Sequence, residues 1–291
     1  MFWLGAILPP LNWLSFGLIS YFHVTARALT GSALLVFLAL SFLLGALCQL
    51  RQLFRGLAIA LSFSSMLAVG QSFGWTSLAS YNLPAGLLYN SAIQSAAMAV
   101  VILALVAAKD WFYIPAMLPG LWLAQSRGGY LVIAGGLVGR ALGWKAVIWV
   151  LLAAATVTLT INNVSDGERL LIWRVAWQNL EWFGHGAGSF ANLLFESDGA
   201  VRYPGHVHND YLQLAYELGV WAIPVYLIYL AALALTEEAY WPAFAGFAVC
   251  GLFFFPLYTP VTAFIGAVLA GHLICYDAKL WVLKGEALLE T

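Results

Sequence analysis

Apolar runs recur along the whole chain, near 3–22, 30–49, 57–74, 87–107, 111–125, 129–143, 146–161, 219–235, 243–258 and 261–276, the fifth, sixth and last three of them short for a membrane span. So many apolar stretches cannot all be hidden in one soluble core. The composition agrees: 63% of the 291 residues are hydrophobic and 9% charged, against roughly a quarter charged in an ordinary soluble domain. The expected fold is therefore an all-α polytopic integral membrane protein with about ten transmembrane helices. The chain reads as a single membrane domain over 1–291, with one long polar loop, 162–218, that carries short amphipathic helices. The opening run has no basic n-region and reads as a retained first span.

Two function classes drop out early. A net charge of -1 makes no case for nucleic acid. Cys48, Cys250 and Cys275 all lie in apolar runs, where a thiol behaves as a small buried hydrophobe, so neither disulfides nor a cysteine metal site are expected.

The basic residues of the short connections set an orientation. Arg51, Arg55, Lys109, Arg140, Lys145, Lys279 and Lys284 all fall on one side of a ten-span chain, and that side is expected to be cytoplasmic. The other side receives Arg27, Arg127 and the segment 162–218 with Arg169, Arg174 and Arg202. A long loop in a compact membrane protein is functional or disordered. Here Leu170, Trp173, Trp177 and Leu180 recur at helical intervals, as in an amphipathic helix on a membrane surface.

Within this loop "YPGHVHNDYLQLAYELG" carries the densest chemistry. Asn209 suits an N-cap for a helix beginning at Asp210, whose carboxylate fits the positive helix end. Asn209, Asp210, Gln213, Tyr216 and Glu217 share one face of that helix, and His206 and His208 precede it. The plain alternative is a capped helix with two solvated loop histidines. Arg127, in "QSRGGYL" between two apolar runs, is either a snorkelling side chain or a fork for a phosphate. Arg169 either pairs with Asp166 or Glu168 or supplies a second fork to the same anion. "GHGAGSF" lacks the Lys–Ser/Thr ending of a nucleotide P-loop and reads as a tight turn. No further histidine or cysteine completes a metal set around His206 and His208.

These residues resemble a known family, the bacterial O-antigen ligase and polymerase superfamily, which also includes protein O-oligosaccharyltransferases. "SRGGYL" at 126–131 resembles its Arg-x3-Leu element, and "RLLIWRVAWQNLEWFGHGAGSF" at 169–190 its Arg–Trp and glycine-rich block. "HNDYLQLAYELG" at 208–219 resembles its His-Asn-x9-Gly element. Ala222 and the residues before "GHG" depart from the family pattern.

The resemblance implies transfer of a glycan from undecaprenyl diphosphate to an acceptor hydroxyl with inversion. O-antigen ligase is the leading expectation, with O-antigen polymerase or protein oligosaccharyltransferase as alternatives. It also implies a bacterial inner-membrane enzyme with a periplasmic site, no cofactor and no metal. His208, Arg127 and Arg169 are the expected catalytic residues. Arg127, Arg169, Arg174, Asn209, Asp210, Glu217 and His206 are the expected substrate-binding set. The partners would be the lipid-linked donor, a glycan, lipid A core or protein acceptor, and the bilayer. A polyprenyl-glycan transporter is the competing class, though such proteins place ionisable groups mid-membrane and show related halves, and no internal repeat is visible here.

Overall fold

The computed structural model describes residues 31–75, 83–88, 90–143, 164–186, 188–197, 200–202, 206–226 and 239–289. The apolar runs at 3–22 and 146–161, and most of 219–235, lie outside them. The described chain is mostly helical: α1 (Gly31–Leu47), α2 (Leu50–Ser72), α3 (Ser91–Ala107), α4 (Ile114–Leu123), α5 (Arg127–Leu142), α6 (Val164–Gln178), α7 (Asp210–Leu218), α8 (Trp241–Cys250) and α9 (Pro260–Leu289). Three-residue strands β1 (Phe195–Ser197) and β2 (Ala200–Arg202) form an antiparallel ladder, with Phe195 opposite Arg202. Among the described residues, α2 alone is long and apolar enough to cross a membrane, and the other apolar stretches of helix, Pro260–Cys275 of α9 included, run 10–17 residues. The all-helical expectation holds at this coarse level; the count of ten spans goes beyond it.

The helices form where the sequence is locally consistent with them. Asn90 caps α3 by accepting the N–H of Ala92 at 2.9 Å. α3 is apolar around its whole circumference and is accordingly buried from Gln94 to Leu105. Around it pack α2, α4, α5 and α8. One polar pair in this core is bonded, the Ser64 hydroxyl donating to Gln94 Oε1 at 2.8 Å, while Gln94 Nε2 and Ser95 Oγ are buried without a partner among the described residues.

Small residues set the close crossings. A methyl group on Gly246 would overlap the Val132 carbonyl, one on Gly136 would meet the Pro242 carbonyl, and Gly128 lies against Cys250. These pairings make α8 antiparallel to α5. Arg127 therefore sits at the Cys250 end of the bundle and Arg140 at the Tyr240 end. Tyr240 stacks on Phe54 with centroids 5.8 Å apart, which puts Arg51 and Arg55 at that same end. The outer surface stays apolar, with Leu40, Ile59, Phe63, Met66, Trp122 and Leu137 exposed.

One sequence expectation needs correction. The run 243–258 is not one span: α8 stops at Cys250, the chain turns through Gly251, and Pro256–Tyr258 forms a 3-10 turn before α9. Pro256 cannot donate to a continuing helix ladder. The stripe Leu170, Trp173, Trp177 and Leu180 begins on α6, which ends at Gln178, and Trp177 on it is exposed. Ile172 and Ala176 are buried instead.

Candidate functional site

The site is assembled from three separated segments: α6, the stretch from His206 through α7, and the turn between α8 and α9. Ile172, Ala176, Phe190, Val207 and Tyr216 make a small second core that joins the first two. The turn packs alongside, with Trp173 and Phe253 rings 6.4 Å apart.

α7 begins as its local chemistry dictates. Asn209 is its N-cap, accepting the Leu212 N–H at 3.0 Å. Its polar face, however, is the buried one. Asp210 and Glu217 are 1% and 2% exposed, and Gln213 and Tyr216 are buried with them. Burying such groups is tolerable only where they are paired. The Gln213 amide donates to Glu217 Oε1 at 3.0 Å. Glu217 Oε2 accepts from the Gly188 N–H at 2.9 Å and the Tyr258 hydroxyl at 3.0 Å.

The glycine loop is the tight turn expected. Gly184, Gly186 and Gly188 all have positive φ, which L side chains rarely adopt. The His185 and Gly186 N–H groups donate to the Tyr216 and Glu217 carbonyls, closing the C-terminal end of α7. The loop's N–H at Gly188 thus grips a protein carboxylate, Glu217.

The histidines are held through the residue between them. The Val207 N–H donates to Gln213 Oε1 at 3.2 Å, and its carbonyl accepts from the Trp173 indole at 2.8 Å. Two residues beyond His208, the Asp210 N–H donates to the Gly251 carbonyl at 2.7 Å. Pinned on both sides, His208 sits at φ 58°, a left-handed conformation that costs a non-glycine residue about 1–3 kcal/mol. His206 stacks on Phe255 at 4.3 Å, and His208 meets the same ring edge-on at 4.8 Å.

The electrostatics follow from this burial. Desolvation pushes the His208 imidazole down to about 3, with the Arg169 guanidinium and His206 adding to the effect. His208 is therefore neutral at physiological pH, and Arg169, 39 positions earlier in sequence, is its cationic neighbour in space. Its Nδ1 is buried and has no hydrogen-bond partner among the described residues. Burial likewise pushes the Asp210 carboxyl well above the usual range, despite the Leu257 N–H that donates to Oδ2 at 3.0 Å. Asp210 Oδ1 is buried without a partner among the described residues, so a neutral Asp210 presents an O–H donor there.

The other sequence candidates fall as follows. Arg127 is the exposed first residue of α5. Gly128 lies against Cys250, and Gly251 against Asp210, so the start of α5 reaches the same end of the bundle as α7. Arg174 is exposed on α6. His206 is half-buried beside the turn. Among the described residues no three His, Cys, Asp or Glu side chains converge as a metal-ligand set.

Trp173, Phe255 and Tyr258 join the site without having been singled out as site residues from sequence. The available signal was the Gly251 and Pro256 punctuation inside "CGLFFFPLY", which marks a turn within an apolar run. No protein-family model matches the chain, and no curated protein shows significant similarity to it.

Proposed function

We propose that this chain is a multi-pass inner-membrane glycan transferase of the O-antigen ligase and polymerase type, acting on the periplasmic face. In this reading it moves a glycan from undecaprenyl diphosphate to an acceptor hydroxyl with inversion, and ligation is the leading form of the reaction. Polymerisation or protein glycosylation would use the same chemistry with another acceptor.

The observation that carries the reading is a half-buried His208 whose Nδ1 is unpaired among the described residues, with Arg169 as its cationic neighbour. The acceptor oxygen attacks the anomeric carbon and its proton passes to an imidazole nitrogen of His208. The bond from that carbon to the diphosphate breaks, and the diphosphate leaves with the electron pair. Arg169 and Arg127 would stabilise the charge growing on the leaving group. General-base assistance of this kind is worth about 10²–10⁴-fold. The arrangement also couples the two roles. A diphosphate bound to Arg169 would offset one of the charges that hold the imidazole down, so donor binding would strengthen the base.

The deciding experiment incubates purified protein with an undecaprenyl-diphosphate glycan and candidate acceptors, without nucleotide or ion gradient. Glycosylated acceptor, lost in His208→Ala and reduced by Arg169→Lys, is the expected result. Movement of intact donor across a vesicle membrane with no product would assign the chain to the transporter class instead.

A further inference from the structure

At the end of the bundle opposite the site, two arginines share one carboxylate. Arg51 and Arg55, one turn apart at the start of α2, each donate from Nε at 2.9 Å and from Nη2 at 2.8 Å to Asp110. The two guanidiniums hold the Asp110 carboxyl well below the usual carboxylate range. The acid is 8% exposed, whereas the arginines remain 55% and 40% exposed. Lys109, also exposed, stands beside Asp110 at φ 59°. One buried acid thus holds two arginines in place, with the exposed Lys109 next to it in sequence. A second anion would meet pre-oriented guanidiniums and cost little further side-chain entropy.

The surroundings narrow what that anion is. Trp111 and Phe112 follow Asp110 directly and are exposed, Phe112 at 86%, and Leu47 is exposed just before α2. Cations next to exposed aromatic and aliphatic groups match a boundary between headgroups and acyl chains. They also sit at the start of the one described helix long and apolar enough to span a bilayer.

We infer that Arg51, Arg55 and Lys109 form a binding site for the phosphate of an anionic phospholipid headgroup. Trp111, Phe112 and Leu47 would contact the adjoining acyl chains. The site is independent of the transfer chemistry and lies at the other end of the molecule.

The competing account is a brace that only ties α2 to the turn before α4, and Asp110→Asn separates the two. The test measures thermal unfolding of delipidated protein in neutral detergent. Short-chain phosphatidylglycerol, short-chain phosphatidylcholine or inorganic phosphate is added to each sample. Expected is a rise in melting temperature with phosphatidylglycerol alone, lost in Arg51→Gln/Arg55→Gln and reduced but still present in Asp110→Asn, which loosens the guanidiniums but keeps the cations. Equal shifts with both lipids would overturn the inference, as would loss of the lipid response in Asp110→Asn. A shift with phosphate alone would reject the lipid as the source. If the double variant does not fold, Arg51→Gln/Lys109→Gln keeps the Arg55–Asp110 pair and must still weaken the shift; an unchanged shift rejects the site.

Discussion

The Trp173 indole N–H lies 2.8 Å from the Val207 carbonyl oxygen, so α6 is bonded directly to the backbone link between His206 and His208. Trp173→Phe keeps most of the ring and removes only the donor, leaving a buried carbonyl unpaired at a cost of about 1–3 kcal/mol. Transfer should fall about tenfold in kcat with KM little changed. Trp177→Phe, on the exposed face, should alter neither. Equal behaviour of the two variants in stability and turnover would remove Trp173 from the positioning of His208.

Glu217 should matter through its bonds more than through its charge. Gln in its place offers one acceptor oxygen and turns an NH2 group toward a donor that Glu217 now accepts from. Glu217→Gln is expected to destabilise by about 1–3 kcal/mol, and Tyr258→Phe, which removes one of the donors to Glu217, by about 0.5–1.5 kcal/mol. The double variant should cost less than the sum, because the two residues share a bond. Denaturant unfolding of the three variants checks this, and strict additivity would argue against the shared bond.

Gly184 and Gly186 both have positive φ but differ in surroundings. A Cβ on Gly184 would overlap the Glu217 carbonyl, whereas one on Gly186 meets nothing within 4 Å. Gly186→Ala should therefore cost only the backbone strain of about 1–3 kcal/mol. Gly184→Ala should cost more, by pushing the loop off the end of α7. Melting temperatures in the reverse order would contradict the packing of this loop.

The depressed value of His208 has a definite pH signature. The folded protein leaves the imidazole unprotonated down to about pH 3, while the unfolded chain protonates it near 6.5. Between those values the unfolded state binds the extra proton. This contribution is therefore intact above about 6.5 and is lost as pH falls toward 3. Unfolding measured from pH 7 to 4 should show a shallower loss of stability in His208→Gln than in the wild type. Identical slopes would mean that the imidazole is not held neutral by burial.

The placement of Arg127 and Arg51 at opposite ends of the bundle bears on orientation. In a background lacking Cys48, Cys250 and Cys275, Ser126→Cys should react with an impermeant thiol reagent in intact cells, and Gln49→Cys only after permeabilisation. The same reactivity at both would reject the proposed topology.

Much of the architecture was legible locally. Apolar runs at 30–49, 57–74 and 87–107 became α1, α2 and α3, and Asn209 started α7 where its capping chemistry required. Such features depend on neighbours within a few positions, so sequence alone determines them. The glycine turn at 184–188 belongs to the same class, because only glycine takes those φ values readily. What the polar face of α7 touches was not legible. Its partners are a loop N–H at Gly188, a hydroxyl at Tyr258 and a backbone amide at Leu257, 29 to 47 positions away in the bonds they make. Whether a polar stripe faces water or a core depends on whether distant donors arrive to satisfy it, and no local pattern records that. The same holds for Arg169 beside His208 and for Asp110 between two arginines. These juxtapositions exist only because helices pack, and packing is decided by the whole set of apolar faces at once.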